Sequence, residues 1–455
     1  MAAEDQPNPM EEFLRQFGIQ PGPDGTFDLG QLMGPLQQAM QQFSRQMSAA
    51  GAGSGDGLNW RFVKDIARKV TAAAGPDPSP SASDAVAIRD TVGLADLWLD
   101  QHTAFDRTNA PAATWSRAEW VEGTIATWEQ LAGSVSTSLA GAVGSLLQRA
   151  EPEAAPMMAM MEPMMKMAAT GMLSAQVGQG IGQLATDVVS GSDLGFPLTA
   201  KPVTALLPTN IAHFAEGLDT PIADVRLYLA LREAARQRLF ANVAWLGPQM
   251  LALIEHYARH ITIDASAFEE AMEAQMQGGL TPERMEEFGQ QMAGRLFQPT
   301  LTSEQVEILG RLETLVANVE GWVDDVVAQT TATLMPRADA LLETVRRRRA
   351  SAGPSETALK TLLNLELRPR RVRDAANVWA AVRSAKGVEG RDAVWAHPDL
   401  VPTGADLDDP LGFAEHGHVG GSAAPEMDDL DAMLARLIEQ ERGSDGDAPR
   451  EDGEG

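Results

Sequence analysis

Residues 228–240 read YLALREAARQRLF. On an α-helix, positions four apart share one face, so Arg232 and Arg236 point the same way with Glu233 beside them. This is the spacing of H-E-x-x-H, in which two helical imidazoles hold zinc while the glutamate activates a bound water. Here both histidines are replaced by arginine. Arginine stays protonated and has no lone pair to donate, so it cannot be a metal ligand and puts fixed positive charge where a dication would sit.

Outward from this stretch, residues 59–413 form a succession of helical patterns broken by Pro and Gly, with no convincing period-two run. Alanine-rich segments, 21 Met and only two Tyr tilt the balance further toward helix. The expected fold is mainly α, a multi-helix body over 59–413 with flexible extensions at both ends. Residues 1–58 are Pro/Gly-rich and contain a short amphipathic helix near 35–48, with Leu36, Met40, Phe43 and Met47 on one face. Residues 414–455 comprise a Gly-rich linker, a short amphipathic helix and an acidic tail expected to be disordered.

In that last helix Leu430, Met433, Leu434, Leu437 and Ile438 repeat at three- and four-residue steps, and Asp428, Asp429 and Asp431 favour its start. A helix this short needs a surface. It is expected to dock, on a groove of its own body or on a protein partner through Leu430, Leu434 and Leu437.

Of the 455 residues, 44% are hydrophobic and 22% charged, with a net charge of −27. Such a balance fits a globular protein and opposes general affinity for nucleic acid or anionic membranes. With no cysteine there is no disulfide framework, thiolate zinc site or cysteine nucleophile. The start MAAEDQPNPMEEF has acids where a secretory signal needs basic residues, so a cytoplasmic location is expected. Residues 130–148 lack charge over about a membrane span, but their Ser, Thr and Gly make a tightly packed helix the better reading.

Other motifs carry less. The glycines at 178, 180 and 182 superficially suggest a phosphate loop, yet no strand pattern precedes them and no Lys-Ser/Thr follows, which favours close helix packing. The methionine-rich run MMAMMEPMMKMAATGM reads as adaptable core filling. His256 and His260 have ligand spacing, but Tyr257 stands where the catalytic acid belongs and the apolar periodicity stops at about Arg259. His213, just before a helix expected to start around Thr220-Pro221, and His397 have no partner in sequence. Arg346–Arg349, followed by LELRPRRVR, form a basic island that suits phosphate or RNA, but neutralisation by acids of the C-terminal region, including Asp406, Asp408 and Asp409, explains it without a further partner.

Four stretches together, LREAARQRLF (231–240), VEGWVDDVV (319–327), RRRRASAGPSETALKTLLNLELRPRRVRDAANVW (346–379) and GRDAVWAHPDLVPTGADLDDPLGF (390–413), resemble the zincin-like metallopeptidase family of actinobacteria, described as hydrolases. The resemblance covers most of 59–413. It implies a mainly helical metallopeptidase-like fold, a zinc cofactor, an active helix carrying H-E-x-x-H and a further ligand from a later helix near the EGW stretch. Mapped onto this chain, the motif positions hold Arg232, Glu233 (a vestigial general base) and Arg236, with Glu320 in the later segment.

Glu233 and Glu320 alone would make a weak, oxygen-only metal site. The expectation is therefore no metal and no cofactor, and two readings of the arginines stay open: both solvate a helix face, or they are partly enclosed and Glu320 makes bidentate hydrogen bonds to one of them inside the old cleft. Val225, Leu229, Leu239 and Phe240 flank that face and would help enclose it. The protein is expected to act as a binding or regulatory module without peptidase activity. The alternative is an active metal-dependent hydrolase in which His213, Glu233, His256 and Glu320 converge on zinc.

Overall fold

The structure, a computed structural model, describes residues 57–147, 155–259, 301–350 and 371–418. The helix expected near 35–48, His260 and the amphipathic segment around Leu430 lie outside the described residues. As expected, the body is mainly α. In chain order it comprises α1 (Trp60–Ala73), α2 (Ala82–Leu99), β1 (Ala112–Thr114), α3 (Arg117–Leu147), α4 (Ala155–Asp187), β2 (Thr204–Leu206), α5 (Pro208–Ala215), α6 (Ile222–Asn242), α7 (Leu246–Arg259), α8 (Ser303–Thr331), α9 (Ala338–Ala350), α10 (Val372–Ala393) and α11 (Pro410–His416). Among the described residues no helix is long and apolar enough to cross a membrane.

Local signals account for several starts. Ser81 and Asp84 close a capping box on α2, and Thr302 and Gln305 close another on α8, each satisfying backbone donors that a helix start leaves free. At α6 the first helical residue is Ile222 and Pro221 precedes it without a side-chain cap, so Thr220 is not the cap. The methionine-rich run falls in α4, its side chains at 157–167 outside the described residues.

Close helix packing is what the glycines of α4 provide. A Cβ at Gly178 would lie 2.7 Å from that of Ile66, and one at Gly182 2.6 Å from that of Val70, so α1 seats directly on the α4 backbone. The same device joins α8 to α10: at Gly321 a Cβ would stand 2.6 Å from that of Ala375 and 2.7 Å from the Ala376 nitrogen. Large side chains fill the remaining space, with Trp120, Trp128, Trp322, Trp379 and Trp395 fully buried. Trp395 stacks on Trp379 at 5.1 Å between ring centres and on Trp245 at 6.2 Å.

Helix α6 runs through the middle. Every residue from Tyr228 to Leu239 is buried, including Arg232, Glu233, Arg236, Gln237 and Arg238. Burying a charge is costly unless it is paired and hydrogen-bonded, so the polar residues of this helix dictate what must surround it. Helices α2, α5, α8 and α9 and strand β2 all pack against it.

The strand pair, which period-two reading does not reveal, serves this centre. β1 and β2 run parallel, with Ala113 opposite Ala205, and β2 also takes the segment after α4 through Gly191 N–H to Ala205 O (3.0 Å) and Leu207 N–H to Val189 O (3.0 Å). Those bonds hold Ser190 and Ser192 against α6.

Candidate functional site

Two rows of charge face each other across α6 and α8. Arg232 and Arg236 are one turn apart on α6; Glu320 and Asp324 are one turn apart on α8. Arg232 donates from Nη1 to Asp324 Oδ1 (2.7 Å) and from Nη2 to Glu320 Oε2 (2.9 Å). Arg236 grips Glu320 with both edges of its fork, Nε to Oε1 at 2.6 Å and Nη2 to Oε2 at 3.1 Å. All four side chains are at most 2% exposed. The sequence-predicted residues Arg232, Arg236 and Glu320 are thus brought together.

Helix α9 adds a second layer. Its three last-turn arginines sit where a helix C-terminus favours positive charge. Arg349 Nη2 donates to Glu320 Oε2 at 2.5 Å, and Arg346, a turn earlier, reaches Asp324 Oδ2 at 3.2 Å. Arg348 pairs with Asp187 and Asp193, and its guanidinium lies 5.7 Å from the Phe214 ring centre. Arg346, Arg348 and Arg349 of the basic island are therefore met by carboxylates of the body. Of the C-terminal acids, Asp408 pairs with Arg371, whereas Asp406 holds Thr403 and His418.

Burial alone would raise the Glu320 pKa, but Arg236, Arg349 and Arg232 override it and hold the carboxyl far below its usual range. Arg232 is held above its ordinary value: burial opposes its charge, and Asp324, Tyr228 and Glu320 outweigh burial. Gly195 lets the chain close over this pair. Its φ of +78° is left-handed, and a Cβ there would come within 3.3 Å of Glu320 Oε1.

Glu233 faces a different set of groups. It accepts from Ser190 Oγ (2.8 Å), Ser192 Oγ (2.8 Å), the Ser192 backbone N–H (3.1 Å) and Gln237 Nε2 (3.0 Å), while Arg236 Nη1 stands 3.5 Å away. Burial pushes its pKa up, against the pull of Arg236 and of the Ser190, Ser192 and Gln237 donors.

The donor set does not fit zinc. Guanidinium N–H groups occupy the lone pairs of Glu320 and Asp324, and hydroxyl and amide donors occupy those of Glu233. The histidines of the alternative ligand set do not join these glutamates. His213 is exposed beside Glu216, and His256 lies at the surface, 3.2 Å from Glu304. Among the described residues no three His, Cys, Asp or Glu side chains form a metal-binding group. Physically, both histidines lie on outer helices while the glutamates belong to the central pair.

A second buried network lies further along α8. Asp392 accepts from Thr103 Oγ1 (2.7 Å), the Ala104 N–H (2.7 Å), Trp322 Nε1 (2.8 Å) and Arg391 Nε (2.8 Å). Asp325 takes Arg391 Nη1 (2.9 Å) and Arg383 Nε (3.0 Å). Beside it opens a recess of about 510 Å³ lined by Asp100, Thr103, Phe105, Arg107, Asn109 and Arg238.

Sequence reasoning missed Asp324, Ser190, Ser192, Arg346 and Arg349 as members of the site. Asp324 was findable: its four-residue step from Glu320 mirrors the step from Arg232 to Arg236. The serines had no such signal, because the strand pairing that delivers them is tertiary.

A crystal structure described as “a putative hydrolase with a novel fold”, from Chloroflexus aurantiacus, shares the fold. It superposes with a TM-score of 0.51 at 19% identity, over 78% of this chain and 97% of that one. No curated protein matches. The model of the zincin-like metallopeptidase family matches residues 58–414, and with the motif helix and its Glu320 partner inside that span, the chain belongs to this family.

Proposed function

We propose that this family member does not hydrolyse peptides and that its former metal cleft is the locked centre of a binding or regulatory module. The observation that carries the reading is the seating of Arg232 and Arg236 on Glu320 and Asp324. Two guanidiniums supply the same formal +2 that a zinc dication would, to carboxylates of the kind that would ligate it. Charge balance is kept while the Lewis acid is lost. Glu233 supports the same reading, since a general base needs a free lone pair toward a water and this carboxylate is surrounded by donors.

The test uses the full-length protein purified without chelators. Elemental analysis is expected to find no stoichiometric zinc, and an unfolded protein substrate is expected to survive incubation with added zinc, manganese or cobalt. One zinc per chain that disappears in Glu320→Gln, or chelator-sensitive cleavage, overturns the proposal.

A further inference from the structure

We propose that the arginine layer contributed by α9 is a binding site for a small oxyanion, a carboxylate or phosphate group, held by Arg346 and Arg349. The proposal rests on reading the cleft as a binding site, and it is independent of whether hydrolysis has been lost.

Three observations converge. The first is an uneven distribution of charge where the rows meet. With Arg348 and its acids Asp187 and Asp193 included the charges are equal, five and five, but the pairing is uneven: Arg232, Arg236, Arg346 and Arg349 share Glu320, Asp324 and Glu233. The nearby acids Asp187 and Asp193 are within 4 Å of Arg348. The crowding is felt at Arg349, whose charge is disfavoured by burial and by the repulsion of Arg232 and Arg236 despite Glu320.

The second is a set of unused donors. Arg346 Nε, Arg349 Nη1 and, beneath them, Arg232 Nε are buried nitrogens with no hydrogen-bond acceptor. A buried guanidinium N–H left unpaired costs more than a typical hydrogen bond contributes, so several in one network point to an acceptor that binds there. Both outer arginines spend Nη2 on a carboxylate and keep a further N–H without an acceptor. An oxyanion is the acceptor that matches such an edge in charge and geometry.

The third is access. The side chains of Arg232, Arg236, Glu320 and Asp324 are sealed, whereas those of Arg346 and Arg349 are 28% and 23% exposed, so the network opens to solvent on the α9 side. The unpaired Arg346 Nε and Arg349 Nη1 are themselves shielded, so an anion engages them by a swing of these partly exposed side chains. Against the chain's net charge of −27, this is a local exception.

Arg347 provides an internal control: it lies on the same turn, but is 77% exposed and bound to Glu343. Full-length wild type, Arg346→Gln, Arg349→Gln and Arg347→Gln are titrated with inorganic phosphate and, separately, with succinate, followed by calorimetry and thermal shift. Saturable binding of either anion is expected for wild type and Arg347→Gln, with affinity about tenfold or more weaker in Arg346→Gln and Arg349→Gln. Arg349→Lys, which keeps the charge and loses the fork, is expected to fall between and guards against a variant that only unfolds. Lack of saturable binding in wild type overturns the proposal, as does binding that survives both Gln substitutions at 346 and 349 or fails equally in Arg347→Gln. Zinc content and peptide turnover of the same preparations report on the loss of hydrolysis separately.

Discussion

Arg236 holds Glu320 along a full edge of its guanidinium, Nε on one carboxylate oxygen and Nη2 on the other, at 2.6 and 3.1 Å with both groups out of water. Arg236→Ala leaves Glu320 with Arg232 and Arg349 but removes the bidentate partner. Breaking a buried pair from one side costs about 3–5 kcal/mol, and a loss of this size is expected as a lower denaturation midpoint at unchanged slope. A loss below about 1 kcal/mol, the range of surface pairs, contradicts the buried pairing.

The double substitution Arg232→His with Arg236→His asks whether the scaffold can still cradle a metal. Glu320 touches both positions now, so imidazoles placed there would face a carboxylate ready to be a third ligand. Zinc is expected to raise the melting temperature of the double variant and not that of wild type. Indifference of both to zinc means that the cleft has diverged beyond those two side chains.

Acid titration reports on Glu320 directly. A free glutamate titrates near pH ~4.3. Because Arg236, Arg349 and Arg232 depress its folded pKa, the stability it contributes is complete above that value and drains away as pH falls below it toward the folded pKa. Carboxyl 13C shifts should show one glutamate still ionised below about pH 3.5, where ordinary glutamates are protonated. A full set titrating normally contradicts the assignment.

Asp392 gathers four donors from the 103–104 loop, Trp322 and Arg391. Asp392→Ala leaves Arg391 Nε and the Trp322 indole N–H without an acceptor while Asp325 still holds Arg391 Nη1, with an expected cost of about 1–3 kcal/mol. Tryptophan emission should also change, because Trp322 loses its acceptor. Wild-type stability in this variant would show that the network is dispensable.

Much of the centre could be read in advance from helical spacing. The step between 232 and 236 put two arginines on one face, and the later Glu320 was the natural carboxylate to meet them. What spacing could not show is that α6 is buried all round. Its hydrophobic pattern has no clear side, and a helix carrying Arg232, Glu233, Arg236 and Arg238 reads as solvated until the partners from α2, α8 and α9 are known. Arg346 and Arg349 were noticed as a basic run, but their partners lie more than twenty residues earlier and on another helix, where no local rule points.

The contact at Gly321 has a mechanical meaning. One residue before it stands Glu320 of the first network; one residue after stands Trp322, and Asp325 of the second follows a turn later. With the backbone of α8 pressed against Ala375 and Ala376, that helix cannot rotate or slide without misaligning both networks at once. The two behave as teeth on a single shaft, and the shaft is keyed. A displacement of one network is therefore passed to the other through α8.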